Sequence, residues 1–150
     1  MKPNAALEPF RPIVGTWKTT GRHPFLPGQE FHGETSFEFI ENGAFLMTRS
    51  RLEGPGFPAG MAIIGTDDAL GEAMMLYYDD RGVSRLYHIS IEGRVLRWWR
   101  DDPKFSQRFS CMISENGDSM DGRGEMSRDG GPWEDDLSLM YSRVVSPPVR

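Results

Sequence analysis

The most constraining feature of this 150-residue chain is a series of short strand-like runs separated by turn residues. From Ile13 onward, runs rich in aromatic and β-branched residues alternate with stretches of Gly, Asn, Asp or Pro. Two of these breaks are Asn-Gly pairs, at Asn42 and Asn116, which favour the positive φ angles of tight hairpin turns. Helical periodicity is nearly absent, and Pro9 and Pro12 limit the N-terminal stretch NAALEPF to one helical turn. The pattern predicts an all-β protein.

The runs predict ten strands, each joined to the next by a connection too short for a parallel crossover. Their predicted ranges are 13–21, 29–40, 44–53, 60–66, 72–78, 83–91, 94–100, 105–114, 118–126 and 132–143. Closure of this antiparallel meander removes the two exposed edges that an open sheet would leave. We therefore predict a ten-stranded up-and-down β-barrel over 13–143, with a short N-terminal helical turn at 1–12 and a C-terminal tail at 144–150.

The connections differ between the two ends of the predicted barrel. Successive turns of a meander alternate between rims, so one rim collects the loops RHPFLPG, EGPGFPA, DDRG, DDPK and SRDGG. The other rim collects ENG, DDALG, EG and ENGD, most of which are tight turns. An open rim opposite a pinched one is typical of barrels that bind a ligand at the mouth. A barrel with a solid core can show the same asymmetry by chance, so both interpretations stay open.

The tripeptide Gly15-Thr16-Trp17 begins the first predicted strand at the pinched rim, and Arg143 ends the last strand at the same rim. First and last strands are neighbours in a closed barrel, so we expect a cation–π contact between the Arg143 guanidinium and the Trp17 indole. This pair resembles the signature of lipocalin-like (calycin) barrels, and LEPFRPIVGTWKTTG is similar to the opening of nitrobindin-like barrels. The stretch YYDDRGVSRLYHIS is similar to uncharacterised bacterial lipocalin-like domains. The resemblance implies a lipocalin-like barrel whose closed end is plugged by Trp17.

Alternation of side chains along each strand predicts the residues that face the lumen. On the third strand it places the apolar Phe45 and Met47 on one face with two arginines. A buried guanidinium needs a partner, which is either the anionic group of a ligand or an internal carboxylate such as Asp135 or Glu125. The alternative is that β-bulges turn the arginines to solvent. The predicted ligand-binding residues are Arg49, Arg51, Arg85, Tyr87, Tyr141, Phe37, Gln107 and Phe109.

These features predict that the lumen binds a small hydrophobic or amphipathic molecule, with Arg49 or Arg85 holding an anionic head group. The alternatives are a cofactor-free lumen enzyme of the isomerase or lyase type, haem binding, and a packed structural module. No nucleophile motif or phosphate-cradling glycine loop occurs, so we favour binding without catalysis. Nitrobindin-like barrels bind haem through a histidine late in the chain, whereas the last histidine here is His88, so the resemblance does not carry haem ligation. No metal site or cofactor is expected.

Bulk properties exclude several other partners. The net charge of −5 disfavours nucleic acid, which requires clustered Lys and Arg. No apolar run approaches the ~20 residues of a membrane span, and Cys111 is the only cysteine, so we expect a cytoplasmic protein without an internal disulfide. One member of the pair Trp98-Trp99 must face outward, where it marks a contact for a homodimer.

Overall fold

The computed structural model describes residues 1–54 and 56–145, and ten antiparallel strands form one closed barrel. Each strand pairs with the next along the chain, and β1 closes the barrel against β10. The strands are β1 (Gly15–Arg22), β2 (Phe31–Ile40), β3 (Phe45–Leu52), β4 (Gly60–Thr66), β5 (Ala73–Asp79), β6 (Ser84–Glu92), β7 (Val95–Arg100), β8 (Phe105–Ile113), β9 (Ser119–Arg128) and β10 (Glu134–Arg143). The predicted barrel is confirmed. Residues 146–150 of the predicted C-terminal tail lie outside the described residues.

The predicted N-terminal helical turn is a 3-10 helix over Ala5–Ile13 that closes one end of the barrel. It continues through Pro9 and Pro12, so the two prolines do not limit it to a single turn. The Asn4 side chain caps it by accepting a hydrogen bond from the Ala6 N–H at 3.0 Å. A 3-10 helix has three residues per turn, so Leu7, Phe10 and Ile13 share one face, and all three are buried. Their burial in the barrel core holds the helix in place. No helix among the described residues is long and apolar enough to cross a membrane.

Arg143 joins the two ends of the sheet at the closed rim. Its guanidinium carbon lies 4.1 Å from the centre of the Trp17 ring, which confirms the expected cation–π contact. The same guanidinium donates hydrogen bonds to the carbonyls of Val14 at 2.7 Å, Pro12 at 2.8 Å and Gly117 at 3.0 Å. One side chain therefore ties the N-terminal segment, β1 and the β8–β9 turn together.

Gly15 is required for this arrangement because of its backbone and its missing side chain. Its φ is +136°, which residues with a Cβ rarely adopt. A Cβ at Gly15 would lie 2.6 Å from an Arg143 Nη1 atom. The buried Trp17 indole meanwhile donates its N–H to the Ile13 carbonyl at 2.9 Å, so its polar atom is satisfied. The Gly-x-Trp sequence thus has a packing explanation at this rim.

The side chains of β3 alternate as predicted, but the face predicted to line the lumen is the outer one. Arg49 and Arg51 are exposed on the outer face, whereas the inward positions are occupied by Leu46, Leu52 and two hydroxyl residues between them. One of these, Ser50, hydrogen-bonds Thr35 at 3.2 Å. A hydroxyl can be buried once it has such a partner, so the inward face of β3 holds Thr48 and Ser50 between two leucines.

Candidate functional site

The inward polar side chains collect at the open rim, and we call them the mouth cluster. Arg85 and Tyr87 come from β6, Arg100 from β7 and Gln107 from β8. The register places Arg100 opposite Gln107, so both point to the same side of the sheet. Two further members, His23 and Asp136, come from the β1–β2 loop and from β10. The mouth cluster therefore draws on five different segments of the chain.

A chain of hydrogen bonds fixes the cluster. Tyr87 donates its hydroxyl hydrogen to Gln107 Oε1 at 2.6 Å, and Gln107 Nε2 donates to Asp136 Oδ2 at 3.0 Å. The other carboxylate oxygen lies 2.8 Å from His23 Nε2. Since His23 Nδ1 accepts the Phe25 N–H at 3.1 Å, the Nε2 atom carries the proton and donates to Asp136. Both ring nitrogens are occupied, and the carbonyl of Gln107 faces the lumen side of the cluster.

A β-bulge brings Asp136 inward. The pairing of β10 with β9 shifts register between Asp135 and Ser138, which adds a residue to β10 and turns the Asp136 carboxylate toward the lumen. Asp135 itself is exposed. Glu125 pairs with Arg108 at 3.2 Å on the outer face. The expectation that Asp135 or Glu125 is the internal carboxylate is therefore wrong, because the bulge moves the inward position by one residue.

Two arginines of the cluster lack a strong acidic partner. The Arg85 guanidinium carbon lies 5.0 Å from the Phe105 ring centre, and its Nη1 is 3.4 Å from Gln107 Oε1. Within residues 1–54 and 56–145, Arg85 makes no ion pair, and the buried Arg100 Nε has no hydrogen-bond partner. The nearest carboxylate to Arg100 is that of Asp102, at 3.8 Å. Among the described residues, neither guanidinium has a carboxylate oxygen within hydrogen-bond distance.

A neighbouring carboxylate, Asp79, already has two hydrogen-bond partners, Tyr77 and Arg81. Tyr77 donates to it at 2.8 Å and Arg81 at 2.7 Å. Burial opposes ionisation of Asp79, but the hydrogen bonds from Arg81 and Tyr77 outweigh it and lower its pKa to about 2.

Burial raises the pKa of Tyr87 even though Arg85 lies beside it, so this phenol stays protonated at neutral pH. The mouth cluster thus consists of hydrogen-bond donors around one carboxylate, Asp136, which already accepts from His23 and Gln107.

An aromatic stack forms the floor below the cluster. The Trp98 and Phe109 rings are parallel, with centres 4.1 Å apart. The Phe109 ring lies over Gly122 of β9, where a Cβ would overlap it. Trp99 faces outward and stacks on His88 at 5.4 Å, so the predicted division of the tryptophan pair between faces is confirmed. Trp98 is half-buried.

Apolar loop residues cover the half of the mouth above β1–β4. The Phe57 ring packs against Phe31 with centres 4.3 Å apart, and Leu26 packs against the backbone of Gly56. Phe25 is exposed and tilts against the His23 ring. Four of the six members of the mouth cluster come instead from β6–β8.

The structure brings together four of the eight predicted site residues. Arg85, Tyr87 and Gln107 lie in the mouth cluster, and Phe109 lies in the floor beneath it. Phe37 and Tyr141 are buried in the core, where the Tyr141 ring meets Trp17 edge-on at 6.4 Å. Arg49 and Arg51 line a different surface. Sequence reasoning missed Arg100, His23 and Asp136 as members of the cluster. Arg100 could have been found, because the alternation that turns one tryptophan of the pair inward also places Arg100 on the same face as Trp98, opposite Gln107.

The larger of the two cavities described is a groove of about 1260 Å³ on the outer face of the barrel. Arg49 and Arg51 line it together with Lys18, Glu34 and other outward side chains. The groove is open to solvent, and Glu34 lies opposite Arg51 in the β2–β3 register. Hydrated charges of this kind need no ligand, so the groove is a weaker candidate for a binding site than the mouth.

None of the three histidines offers a free ring nitrogen to the lumen. Both nitrogens of His23 are occupied, as described above, and His32 and His88 lie on the outer face. A haem ligated by histidine therefore does not fit the side chains present. In the part of the chain that the structure describes, no group of three or more His, Cys, Asp or Glu residues is placed to hold a metal ion.

Comparison with known proteins shows the fold. No family model matches the sequence, and no curated protein matches it. The crystal structure of Rv2717c from M. tuberculosis is similar, with a TM-score of 0.66, 17% identity, and coverage of 95% of this chain and 99% of that one. A protein of unknown function from the DUF3598 family, Npun_R4044 of Nostoc punctiforme PCC 73102, aligns with a TM-score of 0.33 and 9% identity over 94% of this chain and 100% of that one. The chain thus shares the barrel fold of Rv2717c.

Proposed function

We propose that the open mouth binds a small amphipathic anion whose head group contacts Arg85 and Arg100. The observation that carries this proposal is the buried Arg100 Nε, which has no hydrogen-bond partner among the described residues, next to an Arg85 that has no ion pair there. A polar group taken from water without a partner is unfavourable, and the penalty is larger for a charged one. A carboxylate, sulfonate or phosphate can accept hydrogen bonds from both guanidinium groups.

The surroundings favour a ligand with an apolar part. Below the arginines lie the half-buried Trp98 and the Phe109 ring stacked on it, which offer an apolar surface to a short chain or ring. Deeper positions toward the closed end are filled by fully buried side chains such as Leu46, Ile64 and Leu96. The ligand is therefore small and lies near the mouth, with its charged end toward the rim.

The Trp17–Arg143 contact supports the lipocalin-like assignment suggested by the sequence, and a mouth site is consistent with such a barrel. Arg85 remains a proposed contact for the anionic head group, whereas Arg49 does not, because Arg49 lies on the outer face. The filled closed half supports one other candidate, a packed structural module without a ligand. The two candidates differ in whether an anion binds at the mouth in a saturable manner.

The test is a fluorescence titration with 1-anilinonaphthalene-8-sulfonate, an aromatic sulfonate, at low ionic strength. We expect saturable binding, and about 10–100-fold weaker binding for Arg85→Gln and for Arg100→Gln, because hydrogen bonds to charged groups contribute ~1.5–3 kcal/mol. Arg49→Gln and Arg51→Gln are matched controls that remove the same charge from the outer face. Their affinity should equal that of the unmodified protein.

Competition identifies the charge that the site selects. Decanoate should displace the fluorescent sulfonate, whereas decylamine, with the same chain length and the opposite charge, should not. Absence of saturable binding would overturn the proposal and favour the packed module. Equal weakening by Arg49→Gln and Arg100→Gln would overturn it as well, since it would place the bound anion outside the mouth.

A further inference from the structure

The outer surface of the barrel has one apolar side. Outward side chains on strands β3–β7 are mostly large and apolar, and we call them the apolar face: Met47, Met61, Ile63, Met74, Leu76, Tyr78, Leu86 and Trp99. Outward positions of a barrel in water are normally polar, because alternation assigns apolar residues to the interior. Several of these side chains are well exposed, among them Leu76, Tyr78 and Leu86.

The register shows that the apolar face is continuous. Ile63 of β4 lies opposite both Met47 of β3 and Leu76 of β5, and Leu76 in turn lies opposite Leu86 of β6. Directly opposite residues in antiparallel strands have Cβ atoms ~4.5–5.5 Å apart, so these four form one unbroken row. Neither Lys, Arg, Asp nor Glu interrupts that row.

A second row lies on each side of the first. On the open-rim side, Met61 lies opposite Tyr78 of β5, and its other neighbour, Arg49 of β3, ends this row with a charge. On the other side, Met74 lies opposite His88, which is itself opposite Trp99. The His88 and Trp99 rings stack at 5.4 Å, so this edge of the apolar face is already ordered. The three rows together cover five strands.

The rest of the outer surface is different, because its cross-strand rows carry charge. Arg108 of β8 pairs with Glu125 of β9, and Lys18, Glu34 and Arg51 follow one another across β1–β3. Exposed apolar residues there form no long row: Met112 lies opposite Val95 on one side but opposite Asp121 on the other. The apolar face is therefore a local feature of β3–β7 and not a general property of the barrel.

We propose that the apolar face is the interface of a weak symmetric homodimer. The three rows hold nine residues. With strands ~4.8 Å apart and rows ~7 Å apart, they cover roughly 300 Å² per chain, or roughly 600 Å² in a pair. That total lies below the about 1,000 Å² of a stable specific interface and fits a weak dimer that forms as the protein concentration rises. In a twofold dimer the same surface meets itself, and a central row without charge brings no like charges together. The apolar face of a second copy of this chain is thus complementary to it.

The proposed dimer leaves the mouth free. The mouth cluster points inward at the open rim, whereas the apolar face points outward along the side of the barrel. Arg85 and Leu86, neighbours on β6, belong to opposite faces of the sheet. Dimerisation and ligand binding are therefore separate properties, and each can be tested without the other.

Sedimentation velocity and light scattering after gel filtration test the proposal on the full chain. We expect the mass to rise with protein concentration from the chain mass of 17.0 kDa toward twice that value. Leu86→Glu and Leu76→Glu each place a charge in the interface, and should weaken the dimer by roughly 10–100-fold because an unpaired buried charge is unfavourable. Met112→Glu is the matched control, since Met112 is 51% exposed and Leu86 is 53% exposed. It should leave the dimer unchanged.

Near-ultraviolet circular dichroism must show that each variant keeps the native fold. A native protein that stays monomeric at the highest attainable concentration would overturn the proposal, including one that binds anionic or neutral lipid vesicles through this face. A dimer that resists both leucine substitutions, or that Met112→Glu disrupts as strongly as Leu86→Glu, would also overturn it, because the interface would then lie elsewhere.

Discussion

Replacement of Gly15 by alanine should destabilise the closed end of the barrel far more than an ordinary glycine substitution. The new Cβ would lie 2.6 Å from Arg143 Nη1, at a backbone φ of +136°. The unusual backbone alone costs ~1–3 kcal/mol. Displacement of the guanidinium also weakens its contact with Trp17, worth ~0.5–2 kcal/mol. Its carbonyl hydrogen bonds weaken too, and each contributes ~1.5–3 kcal/mol when the donor is charged. Because the guanidinium is partly solvated and can shift, we expect a total loss of ~3–5 kcal/mol.

Gly93→Ala is the matched control for backbone strain. Gly93 lies in the β6–β7 turn at a φ of +59°, and a Cβ there would meet nothing within 4 Å. This substitution should cost only the ~1–2 kcal/mol of a left-handed residue with a side chain. Equilibrium unfolding in urea measures both losses as free energies of unfolding. Equal losses for the two variants would refute the explanation.

A double-mutant cycle separates the steric part from the backbone part. Once Arg143→Ala has removed the guanidinium, Gly15→Ala retains its backbone strain but has no side chain to displace. The two substitutions should therefore be non-additive, with a coupling energy of ~1–3 kcal/mol. Additive losses would show that Gly15 and Arg143 stabilise the rim independently.

Three further results are expected. Asp79 has a folded-state pKa of about 2, below its ordinary value, so it stabilises the protein above pH ~4. That contribution, ~1–2 kcal/mol, should be lost as the pH falls from ~4 to ~2, and Asp79→Asn should abolish this part of the acid dependence in urea unfolding. Burial raises the pKa of Cys111 to about 12, so native protein should not react with a thiol reagent at neutral pH that labels unfolded protein. Asp136→Ala should strengthen binding of the fluorescent sulfonate, because it removes a negative charge from the mouth cluster, whereas Asp135→Ala, at an exposed neighbour, should change it less.

The barrel could be predicted because its determinants are local. The Asn-Gly turns at Asn42 and Asn116 and the short connections define hairpins, and a closed meander makes neighbours of the first and last strands. The Trp17–Arg143 contact followed from that closure alone. These conclusions needed only strand order and turn chemistry, both of which can be read along the chain.

The site was predicted incompletely because two of its determinants are not local. The choice of the inward face failed on β3, where Met47 belongs to an apolar outer face and a hydroxyl such as Ser50 faces inward, so hydrophobicity gave the opposite orientation. On β10, the bulge exchanges Asp135 for Asp136 at the inward position. Adjacent aspartates give no indication of which one a bulge turns inward. His23 reaches Asp136 from a loop, and no pattern in the sequence links the two.

The central claim, that the mouth arginines bind the head group of an anion, can be tested at the atoms concerned. The Nε–Hε resonances of arginine side chains can be followed by ¹H–¹⁵N NMR during a titration with decanoate, with Arg85→Lys and Arg100→Lys used for assignment. Because the buried Arg100 Nε has no hydrogen-bond partner among the described residues, its signal should shift in a saturable manner, together with that of Arg85. The signals of Arg49 and Arg51 should not move. An Arg100 signal that stays constant at saturating decanoate, or a shift confined to the outer arginines, would contradict the account.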